Sequence, residues 1–233
     1  MTDAQTAFLR SIAERPDDDL PRLVYADWLE DRGDPRGEFV RLQTVLAGND
    51  CAEARAAFER REAELAVRYR SEWLRRLDGW RGDAIFERGF VEEVCVSARR
   101  FMERGESWRR VEPFRRIALY GAADCIEELA NCPSLDGITH LDLSQNELEP
   151  DHVRRLLRST HLGRVIHLDL SANHLGPATA RLVLAAATLP CLRQLEFDRN
   201  DNYTDIAGLV SLRCRPRPLL RGLTRIWGRG PAA

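Results

Sequence analysis

Histidines at 140, 152, 161, 167 and 174 are the side chains best placed for proton or metal chemistry near neutral pH. His140 and His167 each open the string HLDLS, which ends in Ser144 and Ser171. On neighbouring strands the two imidazoles would lie side by side, roughly 5 Å apart. Such a pair holds a metal only if a third ligand joins it, and the next equivalent position is Gln194. Ser144 and Ser171 offer hydroxyl nucleophiles, yet no G-x-S-x-G elbow or oxyanion device accompanies them. Asp27, Glu30, Asp31, Asp34 and Glu38 form a carboxylate-rich stretch. Acid–base work requires carboxylates that converge with separated pKa values, whereas these alternate with Arg22, Arg32, Arg36 and Arg41, the pattern of local ion pairs and helix ends. Cysteines at 51, 95, 125, 132, 191 and 214 form no C-x-x-C pair and no cluster with histidine, so zinc and disulfide frameworks do not fit. Cys95, on the outward side of a strand-like segment, reads as an ordinary reduced thiol, with a reactive thiol as the alternative. The expectation is a protein that is not an enzyme, with no catalytic residue, cofactor, metal or small-molecule substrate.

The histidines recur because the chain repeats. LDLSQN at 141–146 returns as LDLSAN at 168–173 and as LEFDRN at 195–200, so Leu141, Leu168 and Leu195 stand 27 residues apart, as do Asn146, Asn173 and Asn200. Strand alternation sends Leu141 and Leu143 inward and His140, Asp142 and Ser144 outward. The Asn side chain both donates and accepts, so a stack of them satisfies turn backbone that would otherwise be buried unpaired. Pro150 and Pro177 suit the first turn of a helix, and Val153, Leu156 and Leu157, then Leu182, Val183 and Ala186, follow at helical spacing. Each repeat is predicted to be a strand plus a helix.

The pattern L-x-L-x-x-N-x-L in this period resembles leucine-rich repeats of the ribonuclease-inhibitor-like kind. The resemblance covers residues 137–200 and extends to about 212. Upstream, VEEVCVSA (91–98) and IALYGA (117–122) are degenerate versions, with Val94/Val96 and Ile117/Leu119 in the inward roles and Arg99 and Ala122 replacing the Asn. In the last repeat Asn202 stands where Leu148 and Leu175 stand earlier, as in a terminal repeat.

The N-terminal third reads as a small helical module. Thr2 and Gln5 form a capping box before Phe8, Leu9 and Ile12, and Asp18, Asp19 and Pro21 open a helix through Leu20, Val24 and Trp28. Gly33 and Pro35 close that helix, Phe39, Leu42 and Leu46 continue in a third, and Ala54, Phe58, Leu65, Tyr69, Trp73 and Leu77 mark a long fourth. The stretch LVYADWLEDRGDPRGEFVRLQ resembles the bacterial repeat-companion domain over about residues 3–45. That resemblance implies a module that precedes repeats and carries no known activity.

The 233 residues carry a formal charge of −2, which gives no global attraction to nucleic acid or membrane. Every basic residue is Arg, which excludes P-loop, kinase-type and Schiff-base lysine chemistry. Genome composition explains the missing Lys, with avoidance of lysine-modifying chemistry as the alternative. No signal segment or long apolar run is seen, and a cytoplasmic protein is expected.

The expected fold class is α/β: a helical module at 1–80, a leucine-rich-repeat solenoid at 81–212 with degenerate repeats at 81–136 and clear ones at 137–212, and an Arg-rich cap or tail at 213–233. The expected function is a protein–protein interaction scaffold. Its concave face presents His140, His167 and Gln194, then Asp142, Asp169 and Glu196, then Ser144, Ser171 and Asp198, to a partner with a basic surface. The alternative is an anionic surface, nucleic acid or lipid, met by Arg213, Arg215, Arg217, Arg221, Arg225 and Arg229. The same tail also reads as a cap on the last repeat, or as a segment that orders on a partner.

Overall fold

A computed structural model describes residues 2–48, 54–80 and 82–201, so the arginines proposed for the tail lie outside the described residues. Thr2 caps α1 (Asp3–Glu14) by accepting the Gln5 N–H at 3.2 Å. The reciprocal half of the capping box is replaced, because the Gln5 amide donates to the Tyr25 hydroxyl at 3.0 Å. Helix α2 (Leu20–Glu30) corrects the expected stripe: Leu20 is 62% and Val24 46% exposed, while Pro21, Arg22, Tyr25, Ala26 and Leu29 are buried. The buried set follows the i, i+3, i+4, i+7 spacing of a helix face, with Arg22 at its start. Gly33, at φ +68°, turns the chain into α3 (Arg36–Ala47), whose first free N–H is accepted by Asp34 Oδ1. A Cβ on Gly37 would come within 2.6 Å of Ala26 O, so α2 and α3 touch at their backbones. Helix α4 (Arg55–Leu74) adds Leu65 and Trp73 to Phe39.

Strands β1 (Asp83–Glu87) and β2 (Phe90–Ser97) form an antiparallel hairpin that the repeat pattern does not foresee. Its turn residues, Arg88 at φ 51° and Gly89 at φ 85°, take the doubly left-handed form that matches strand twist. Then follow β3 (Arg116–Tyr120), β4 (His140–Asp142), β5 (His167–Asp169) and β6 (Gln194–Glu196), all parallel to β2, in sequential order across one six-stranded sheet. Helices α5 (Ala98–Arg109), α6 (Ile126–Ala130), α7 (Pro150–Leu156) and α8 (Pro177–Ala185) connect them. The architecture is therefore mixed α/β, an open and mostly parallel sheet.

Register aligns Val94, Ile117, Leu141, Leu168 and Leu195 in one inward row. These residues share a core with Phe101 and Trp108 of α5, Leu129 of α6, Val153 and Leu156 of α7 and Val183 of α8. Leu182, expected inside, is 40% exposed, and Thr179 and Ala180 take the inner face with Val183.

The helical module grips the β1–β2 turn. Gly89 donates its N–H to Gln43 Oε1 at 2.8 Å, accepts Arg36 Nε at 2.9 Å, and lies so close to Val40 that a Cβ would meet it at 2.4 Å. The expected local ion pairs exist for Arg41 with Asp27 and Glu30, whereas Arg36 departs from that expectation: it is buried and pairs with Glu112, far along the chain. That guanidinium is buried beside the rings of Phe86 and Phe90.

Candidate interaction surface

The turns after β4, β5 and β6 are built on buried asparagines. Asn173 Oδ1 accepts the N–H groups of Asn146 and Leu148, and Nδ2 donates to the carbonyls of Leu143, Leu170 and Ser171. Asn200 accepts from Asn173 and Leu175, and Asn146 accepts from Ala122. Each Asn thus stitches its own turn to the preceding one, as its donor and acceptor capacity allows. The residue just before each, Gln145, Ala172 and Arg199, has φ between 53° and 56°. This left-handed step turns the Asn inward and fixes the outward residues of the strand before it.

The outward face is a grid. One row runs Glu93, Arg116, His140, His167, Gln194, and the next runs Cys95, Ala118, Asp142, Asp169, Glu196. Ser97 pairs with Tyr120 in a third row, which Ser144, Ser171 and Asp198 continue by parity. The register puts His140, His167, Gln194, Asp142, Asp169 and Glu196 in the two outward rows, but they are not equally available. Asp169 is 3% exposed, a correction to its expected partner-binding role. Its Oδ1 accepts the Ser171 N–H at 2.8 Å, as Asp142 Oδ1 accepts that of Ser144, so both carboxylates serve their own turns. Burial pushes the Asp169 carboxyl up, the Ser171 bonds oppose this, and Asp142 and Glu196 on either side add to it. Asp198 is exposed, and His140, His167, Gln194 and Glu196 are half-buried.

The imidazoles of His140 and His167 meet edge to face, 5.5 Å between centroids. Burial first, then the charges of Arg116, His167 and Arg115, lowers His140 to about 4, so it is neutral at physiological pH. Thr139 Oγ1 lies 2.9 Å from His140 Nδ1, and Glu196 Oε1 lies 3.1 Å from His167 Nε2. The link from His167 to Glu196 joins two rows diagonally, and the repeat pattern alone does not show it. The other histidines serve elsewhere: His152 Nδ1 accepts the Glu149 N–H to cap α7, and His161 lies 3.0 Å from Asp136. Among the described residues no group of three His, Cys, Asp or Glu could hold a metal ion, and neither Ser144 nor Ser171 shares a hydrogen bond with an imidazole. Cys95 is half-buried on the grid, and burial pushes the Cys125 thiol up, away from thiolate chemistry.

Glu93, Arg116, Ala118, Ser97 and Tyr120 also belong to this face and are not among the residues that the repeats point to; Tyr120 stands out among them. It is 55% exposed, two positions after Ala118 and so on the same side of β3. Its parity with Ala118 in IALYGA was the available signal. Together the grid offers an aromatic ring at Tyr120, small neighbours at Ala118 and Ser97, and carboxylates toward β6.

No family model, curated protein or solved structure matches the chain at a significant level. No helix among the described residues is long and apolar enough to cross a membrane.

Proposed function

We propose that the chain is a non-enzymatic interaction scaffold, a leucine-rich-repeat protein of the ribonuclease-inhibitor-like kind headed by a repeat-companion module, whose strand face receives a basic segment of another protein. The observation that supports this reading is the register of Tyr120 and Glu196 on one outward face, with Asp198 on the same side by strand alternation and the turns behind β4 to β6 pinned by buried Asn146, Asn173 and Asn200. A pre-ordered surface loses little freedom on binding. An exposed Tyr supplies the kind of anchor that dominates interface energy, and carboxylates at the far edge favour Arg or Lys on the partner. Six strands at about 4.8 Å make a face roughly 24 Å wide, enough for an extended segment or a helix. The reading places the protein in the cytoplasm.

The test is affinity capture with the wild-type chain and with a Tyr120→Ala, Glu196→Arg, Asp198→Arg variant. These positions spare Asp142 and Asp169, which the turns require. Loss of a specific partner from the folded variant supports the strand face, and an unchanged set of partners rejects it.

A further inference from the structure

A cleft of about 460 Å³ lies away from the strand face, where α1, α2 and the chain after α4 and α5 meet. Leu29 and Val111 give it an apolar floor, and Gln5, Arg32 and Arg76 supply polar groups. In the same module Arg36, Arg41 and Arg61 each hold a carboxylate. Arg32 holds none among the described residues: its guanidinium lies 4.0 Å over the Trp28 ring and NH1 donates to Trp28 O. Trp28 stacks in turn on Tyr25, 5.8 Å between centroids, so the cation is fixed on a rigid aromatic base with Nε and NH2 left over as donors.

Asp34, the carboxylate in the lining, does not cancel this charge. Its Oδ2 pairs with Arg76 at 3.2 Å, and its Oδ1 is already committed to the Arg36 N–H. The lining therefore carries two guanidinium groups against one fully engaged carboxylate. Arginine in this setting selects planar carboxylates.

We propose that this cleft takes an acidic side chain, with an apolar residue beside it, from an extended segment of a partner protein. The volume falls within the range of small-ligand pockets, roughly 300–1,000 Å³, but the cleft is open to solvent rather than enclosed. A free small acid would keep much of its surface in water there, whereas a chain segment continues out of the cleft. The inference stands apart from the strand-face reading, since it uses none of those residues.

The test is an NMR titration of the isotope-labelled full chain with a capped peptide, Gly-Ser-Leu-Glu-Leu-Ser-Gly, its Gln-for-Glu counterpart, and hexanoate, following the Trp28 indole N–H and the Arg32 Nε–H. Saturable shifts at both groups with the Glu peptide are expected, with binding at least about tenfold weaker for the Gln peptide and for Arg32→Gln, as loss of a charged hydrogen bond implies. Arg32 is exposed, so its variant should fold; if it does not, the Gln peptide against the wild-type chain still decides. Absence of saturable shifts at millimolar Glu peptide, equal binding of the Gln peptide, or hexanoate binding as tightly as the Glu peptide would each overturn the proposal.

Discussion

Arg36 and Glu112 form a buried ion pair that ties the helical module to the sheet. Arg36 NH2 lies 2.8 and 2.9 Å from the two Glu112 oxygens, and each residue is 2% exposed. Glu112 Oε2 also accepts the Val91 N–H, and Arg36 Nε donates to Gly89 O, so the pair reaches the turn and the second strand of the β1–β2 hairpin. Among the described residues Arg36 NH1 has no hydrogen-bond partner, and the rings of Trp73, Phe86 and Phe90 lie 5.0 to 5.6 Å from the guanidinium carbon. The pair is an organising contact rather than a surplus of stability, because desolvation of both charges offsets most of their attraction.

Removing one partner is therefore expected to hurt more than removing both. Arg36→Met leaves Glu112 charged and buried and should lower unfolding free energy by about 3–5 kcal/mol. Adding Glu112→Gln, which keeps an acceptor for Val91, should restore a large part of that loss. Urea denaturation of the two variants measures it, and equal or greater damage in the double variant would show that the ion pair itself supplies net stability.

The asparagine stack makes a second expectation. Asn173→Ala takes the side-chain partner from the N–H groups of Asn146 and Leu148 and from the Leu143 carbonyl in a buried turn, whereas the Leu170 carbonyl keeps the Asn200 amide and the Ser171 carbonyl keeps the Gln145 N–H. A loss of at least about 3 kcal/mol follows if each orphaned group costs on the order of 1 kcal/mol. Asn173→Asp keeps the acceptor but not the donors and buries a charge, so it should be nearly as damaging. Thermal or urea unfolding checks both, and a loss below about 1 kcal/mol would contradict the turn's dependence on this residue.

His140 links stability to pH. Its folded value is about 4 against an ordinary 6.5, so between these values the unfolded chain binds the additional proton. Stability is fully present above 6.5 and is lost as pH falls toward 4, by at most roughly 3 kcal/mol from the linkage relation. Asp169 and Glu92, both raised by burial, act in the opposite sense, losing stability as pH rises through their folded values. A comparison of wild type with His140→Gln isolates the imidazole: the variant should lose less stability than wild type between pH 6.5 and 4. Parallel curves would refute a neutral, buried His140.

Much of the sheet is legible in the sequence because its partners recur at a fixed interval. Leu141, Leu168 and Leu195 are found in register, and the Asn stack forms as their letters imply. What escapes is either non-periodic or long-range. The β1–β2 hairpin precedes the clear repeats, and Arg36 meets Glu112 across 76 positions, which no local pattern encodes. In α2 the apolar i+4 series Leu20, Val24, Trp28 draws the eye, while the true inner face begins with a polar Arg22 whose NH1 donates to Asp18 O. On the strand face, alternation places Asp169 outward but cannot tell that its neighbours close over it. Of the motif Y-A-D-W-L-E…G-D-P-R-G-E-F, the fold uses Tyr25 and Phe39 for core, Gly33 for a left-handed turn, Gly37 for close backbone approach, and Arg36 for docking. Trp28 and the neighbouring Arg32 are left lining the cleft.

The most direct measurement is the affinity, by calorimetry, of a partner captured by the wild-type chain for that chain and for the Tyr120→Ala, Glu196→Arg, Asp198→Arg variant, after circular dichroism shows that both are folded. The account predicts binding at least about thirtyfold weaker in the variant, as removal of an interface hot spot implies. An unchanged Kd in the folded variant would contradict the strand face as the site of interaction.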